Sequence, residues 1–243
     1  MRNALYNNKE IKIHDNFVQE ENLPSNTVYW AAIEAVVEFQ KDSEWPLAPH
    51  LKPDYIKLSS WTKMNVKPAK AALSKETAQA INILVNKYGK PREWLTTAYF
   101  CACVSDWYDI TNNRRGSIAF SYKKRDVYDE FRAYLKFFMR FYASMKLHPN
   151  QKSGLKPSQK GVLISTGAIL HLVEALLDEG FVFVLTSRFS NDCAENIFSL
   201  LRLRQKLPTC LLSKRFLRLI SLCQFMKKVR GKSIMYLFFS IIY

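Results

Sequence analysis

The chain has 243 residues, of which 48% are hydrophobic and 23% charged, a composition that supports a folded core and excludes intrinsic disorder. Its 7 Gly and 9 Pro are too few turn-formers for an all-β protein, and the long intervals between them favour helices. A net charge of +15, from 36 Lys and Arg against 21 Asp and Glu, points to a polyanionic partner, with nucleic acid as the first reading and a membrane surface as its rival.

Residues 1–26 are polar and mixed, and Pro24, Ser25 and Asn26 act as a stop. Residues 27–40 read as a helix, because Trp30, Ile33 and Val37 recur at helical spacing. Residues 45–67 read as loop, punctuated by Pro46, Pro49 and Pro53 and anchored by Trp61. Ser74 is placed as the N-cap of a helix running to about Lys87, closed by Gly89, Lys90 and Pro91. A third helix, rich in aromatics, covers residues 94–112 and ends in the basic turn Asn112, Asn113, Arg114, Arg115, Gly116. Residues 126–146 form the clearest amphipathic helix, with Phe131, Tyr134, Leu135, Phe138, Phe141 and Tyr142 along one stripe.

Residues 148–158 are a polar linker and the best domain boundary. Beyond it, residues 161–165 read as a short buried strand, and residues 166–179 as a helix closed by Gly180. Residues 181–186 (FVFVLT) carry the strongest strand signal in the chain. Two further helices are expected over residues 191–204 and 209–228, separated by Pro208. From Asn196 onward no acidic residue occurs, while Arg202, Arg204, Lys214, Arg215, Arg218 and Lys227 are among the basic ones. The bland reading of that run is a solvated helix face; the functional one is phosphate contact by counterion release.

Five cysteines, at 101, 103, 193, 210 and 223, show no zinc spacing, and His14, His50, His148 and His171 form no cluster. They read as reduced thiols of an intracellular protein. No signal peptide is read at the start, and the apolar run 233–243 is about half the length of a membrane span.

Asp192 and Glu195 lie three apart, directly after the expected strand. On a helix they share a side and are chemically suited to hold a hard divalent cation, although such a pair is more often simply solvated. Their surroundings carry a more specific signal. The run LTSRFSNDCAENIFSLLR resembles the pattern L-T-x-R-x-x-x-D-x-x-E-N-x-F-x-x-x-R of P-element-type transposases and their THAP-protein relatives. Leu185, Thr186, Arg188, Asp192, Glu195, Asn196, Phe198 and Arg202 all match. The resemblance implies an RNase H-like nuclease core using Mg2+, with Glu195 as metal ligand and catalytic acid and Asp192 in a supporting acidic role. The family continues with a Gly-rich segment, where this chain has Leu203, Arg204, Gln205 and Lys206.

A second element, Trp107, Tyr108, Asp109, Ile110, Thr111, Asn112, resembles the W-F-D-x-x-N element of the family's GTP-binding insertion domain. A carboxylate accepts two hydrogens from a guanine edge, and an Asn adds a donor and an acceptor. Read without the family, the same residues are an ordinary polar helix end. Upstream, Pro49, Leu51, Ile56, Lys63, Met64 and Val66 agree with the family run, while His50 and Asn65 replace two of its lysines. Ser74, after Ala71, Ala72 and Leu73, also matches. The resemblance thus implies GTP as a ligand, with Val66, Ser74, Asp109 and Asn112 as its contacts.

Two-metal cleavage of DNA needs three converging acids, and the family's other two precede the insertion domain. Met1, Arg2 and Asn3 resemble the tail of the motif that carries one of them, and no zinc-binding THAP module is seen. The expected fold is therefore mainly α with a few short strands (α+β). It comprises a helical insertion-like domain over 1–150, the C-terminal part of an RNase H-like domain over 151–230 and an unassigned hydrophobic tail over 231–243, read as translated intron. An unpaired sheet edge and poor stability in isolation are expected. The expected function is a transposase remnant, catalytically incomplete but able to bind DNA. The alternative is a non-catalytic, domesticated protein that binds DNA or a transposase. A nuclear location, no membrane association, and self-association or pairing with full-length transposase complete the expectations.

Overall fold

The computed structural model describes residues 1–148, 151 and 154–190. The expected helices over 191–204 and 209–228, and with them Asp192 and Glu195, lie outside the described residues. Compactness divides the chain into Met1–Phe189 and Ser190–Tyr243, and every described helix and strand belongs to the first unit.

The chain begins with α1 (Arg2–Asn8), β1 (Glu10–Lys12), α2 (Asp15–Glu20), β2 (Thr27–Tyr29) and α3 (Trp30–Lys41). The polar character of residues 1–26 thus conceals two short helices and a strand. β1 and β2 pair antiparallel, with Ile11 opposite Val28, and both of those side chains are buried. The expected helix over 27–40 starts later than its periodicity suggests. Thr27, Val28 and Tyr29 are extended, and the Tyr29 amide donates to Thr97 Oγ1 at 2.9 Å.

Residues 45–67 are less irregular than their prolines suggest. They hold a 3-10 turn (Pro53–Tyr55) and α4 (Ser60–Met64), and α5 (Val66–Ala72) begins within them. Ser59 and Asn65 cap α4 and α5 by accepting from the amides of Thr62 and Lys67. α6 (Lys75–Tyr88) follows, capped by Ser74 as expected and closed by Gly89 at φ 65°, a backbone state that favours glycine. α7 (Trp94–Thr111) packs along α6, and this is the most extensive helix contact among the described residues.

α8 (Arg125–Ser144) buries Leu135, Phe138, Phe141 and Tyr142 from its predicted stripe. α9 (Pro157–Asp178) then packs on α8 through Leu170, Val173 and Leu177. The strand expected over 161–165 is instead part of α9. Proline at the helix start is compatible with α geometry, and Thr166 and Leu170 continue a buried face that a strand would break. The strand expected over 181–186 is reduced to one bridge, Val184 with Phe120. Phe181, Val182 and Phe183 are about half exposed (51%, 58% and 51%), because β-branched and aromatic residues make a strand only where a partner strand is offered. Residues Thr186–Phe189 turn into a 3-10 helix.

Two apolar clusters hold the unit together. The larger gathers Leu5, Val28, Trp30, Ile81, Leu84, Phe100 and Phe141; the smaller gathers Phe120, Leu135, Leu170, Val173, Leu177 and Val184. Each fully buried side chain of this kind contributes about 1.5–3 kcal/mol. The described residues are mainly helical, with a single two-stranded sheet.

Candidate functional site

Of the residues singled out from sequence, Val66, Ser74, Asp109 and Asn112 fall within the described unit. Asp109 sits in the last turn of α7, and Asn112 is the residue that ends the helix. The spacing of three puts them on one side of the helix. Asp109 is exposed, and its Oδ1 lies 3.4 Å from Lys70 Nζ of α5. The same ammonium is 4.7 Å from the ring centroid of Tyr108, a geometry in which the aromatic face attracts the cation. Asn112 Nδ2 donates to the Tyr108 hydroxyl at 2.8 Å. Tyr108 thereby links the amide to the cation.

One turn earlier, Lys75 at the start of α6 pairs with Asp106 of α7. Two lysines from α5 and α6 therefore meet two acids from one face of α7. Val66 begins α5 and is exposed. It stands one turn before Lys70, so the two share a face of α5. Ser74 Oγ accepts from the Thr77 amide at 3.1 Å and contacts Thr77 Oγ1 at 3.2 Å, while Thr77 Oγ1 donates to the Ala71 carbonyl at 2.8 Å. The Ser74 hydroxyl is therefore engaged in holding the α5–α6 corner. Asn65, where the resemblance expects a lysine, caps α5, and His50 lies 3.8 Å from Glu76 on the surface.

Lys70 is the site residue that sequence reasoning misses. Its signal, a spacing of four from Val66, has meaning only once residues 66–72 are known to be helical. Thr186 is a second. It is buried, and its Oγ1 donates to the Ile110 carbonyl at 2.6 Å while accepting from the Asn113 amide at 3.0 Å. Among the described residues no group of three or more His, Cys, Asp or Glu is placed to hold a metal ion.

The family model for the TNP-like, GTP-binding insertion domain matches residues 1–125. A solved structure, the Drosophila P element transposase strand transfer complex, shares the fold with a TM-score of 0.65 and 21% identity. The match covers 89% of this chain and 48% of that one, so the chain spans about half the length of the solved transposase. No curated protein sequence matches. With the family model spanning more than half of its residues, the chain belongs to the TNP-like, GTP-binding insertion domain family.

Proposed function

We propose that the α5–α7 face binds a guanine nucleotide, GTP, as part of a transposase that acts on DNA. The observation that carries this reading is the exposed Asp109 carboxylate with Asn112 on the same side of α7, beside Lys70. The residues fit the group. A carboxylate accepts both the ring N–H and the exocyclic amine of guanine, which adenine does not offer in that arrangement. Asn112 supplies an amide, Val66 an exposed apolar surface, and Lys70 and Lys75 supply positive charge. Lys70 is held by an exposed pair with Asp109 and by the face of Tyr108, and such an exposed pair costs little to break.

The test is a titration with a fluorescent guanine nucleotide, with ATP as control. Asp109→Ala is expected to abolish selective binding. Asp109→Asn is expected to shift preference to xanthosine triphosphate, whose second carbonyl accepts from the new amide. Equal affinity for GTP and ATP in the unaltered chain would refute the reading.

For the remainder, the acids Asp192 and Glu195 are read as ligands of Mg2+, which would supply Lewis-acid activation of a phosphodiester. Of the three acids that two-metal cleavage requires, the motif match identifies Glu195 alone, with Asp192 in a supporting role. Salt-sensitive DNA binding without cleavage is therefore the expected behaviour, supported by the charge of +15. A nuclear location and pairing with a second copy or a longer transposase belong to the same proposal. Magnesium-dependent nicking abolished by Glu195→Ala would overturn the non-cleaving reading.

A further inference from the structure

We infer that Thr186 is a positioning residue for the nucleotide site, acting as a tertiary cap on the helix end that carries Asp109 and Asn112. The inference rests on the guanine-nucleotide reading above and extends it to a residue outside the matched insertion segment 1–125.

An α-helix leaves its last four carbonyls without intrahelical partners, and α7 ends at Thr111 without a glycine cap. The Ile110 carbonyl is one of those four. It is met by Thr186 Oγ1 at 2.6 Å, and the same oxygen of Thr186 accepts from the amide of Asn113 at 3.0 Å, just past the helix end. Thr186 is 2% exposed and Asn113 4%, so water does not stand in for either bond. The hold is reinforced on both sides. The Ser187 amide donates to the Asn113 carbonyl at 3.2 Å, and Val184 and Phe120 exchange backbone bonds at 2.8 and 3.2 Å. Asn113 is itself spent locally, its side-chain amide on the Ile118 carbonyl at 2.6 Å and its Oδ1 on the Arg115 amide at 2.8 Å. One hydroxyl from a remote segment therefore fixes where α7 stops. Asp109 precedes the capped carbonyl by one residue and Asn112 follows it by two. Fraying of this turn moves the two groups that read the base relative to each other, and recognition through several hydrogen bonds is sensitive to such displacement.

The experiment compares Thr186→Val, which keeps the shape but loses the hydroxyl, with Thr186→Ser, which keeps it. GTP and ATP are titrated against both and against the unaltered chain. Thr186→Val is expected to bind GTP roughly 3–10-fold more weakly, the scale of one buried hydrogen bond, with a reduced preference over ATP. Thr186→Ser is expected to restore both. Unchanged GTP affinity and selectivity in a folded Thr186→Val chain would overturn the inference while leaving the nucleotide reading intact. Failure of the unaltered chain to prefer GTP would overturn the nucleotide reading and the inference with it. Should Thr186→Val fail to fold, amide exchange in the unaltered chain decides. GTP is expected to slow exchange at Asn113 and Ser187 together with the last turn of α7. Slowing confined to α7, with Asn113 and Ser187 unchanged, would count against Thr186.

Discussion

Gln159, in the first turn of α9, donates from Nε2 to the carbonyl of Tyr142 at 3.0 Å and to that of Met145 at 2.9 Å. Its Oε1 accepts from the Lys156 amide at 3.0 Å. One buried side chain thus satisfies the open end of α8 and the open start of α9. Gln159→Leu fills similar space but strands these backbone groups, and is expected to cost about 2–3 kcal/mol. Urea denaturation measures it; an unshifted midpoint would mean that water takes over the three bonds.

Ser74 caps α6 through the Thr77 amide. Ser74→Ala is expected to lower stability by about 1 kcal/mol, and Ser74→Asp by much less, since aspartate caps equally well. Thermal melts of both variants give the comparison. A larger loss for Asp than for Ala would show that the hydroxyl proton given to Thr77 matters more than the cap.

Trp107 stacks on Phe138 with ring centroids 5.3 Å apart, and its Nε1 donates to Thr166 Oγ1 of α9 at 2.9 Å. Trp107→Phe retains the stack and removes the bond, for an expected loss of about 1 kcal/mol. Trp107→Ala removes both, for about 3 kcal/mol or more. Equal losses would assign the whole effect to the hydrogen bond.

Burial pushes the Cys101 thiol well above its ordinary range. It also raises Cys103 to about 11, where hydrogen bonds from Tyr99 and Tyr134 pull partly the other way and the charges of Asp106 and Glu21 add to the rise. The unfolded chain loses these protons near 9.0, the folded one only at higher pH. The folded state therefore holds more protons in that window. Stability from these groups is complete below about pH 9 and declines as pH climbs through the folded values. Urea midpoints between pH 7 and pH 10 should stay level and then drop. In a variant with Cys193, Cys210 and Cys223 changed to Ser, iodoacetamide at pH 8 should label neither remaining thiol until the chain unfolds. Prompt labelling of the folded variant would contradict the burial.

Where the signal is local, sequence and structure coincide. Ser74 and Gly89 bracket α6 because a side-chain oxygen and a positive φ act within a few residues. The stripe from Phe131 to Tyr142 marks α8 because its periodicity is carried by the helix itself. Residues 161–165 and 181–186 show the converse. Both are apolar and β-branched, and such runs take the state that their neighbours permit. α9 extends through the first because Gln159 and Leu170 have partners on or near α8. The second forms no strand because Phe120 alone offers it a backbone bridge among the described residues.

Residue identities at fixed spacings are enough to find the family of the insertion domain, to place the chain in the mainly helical class and to single out Asp109 and Asn112 as candidates. They are silent on two contacts around the candidate site: Lys70 beside Asp109, and Thr186 at the end of α7. Both join residues far apart in the chain, and a hydrogen bond or ion pair of this kind leaves no periodic trace in the order of the amino acids. It exists only when packing brings the donor to its acceptor.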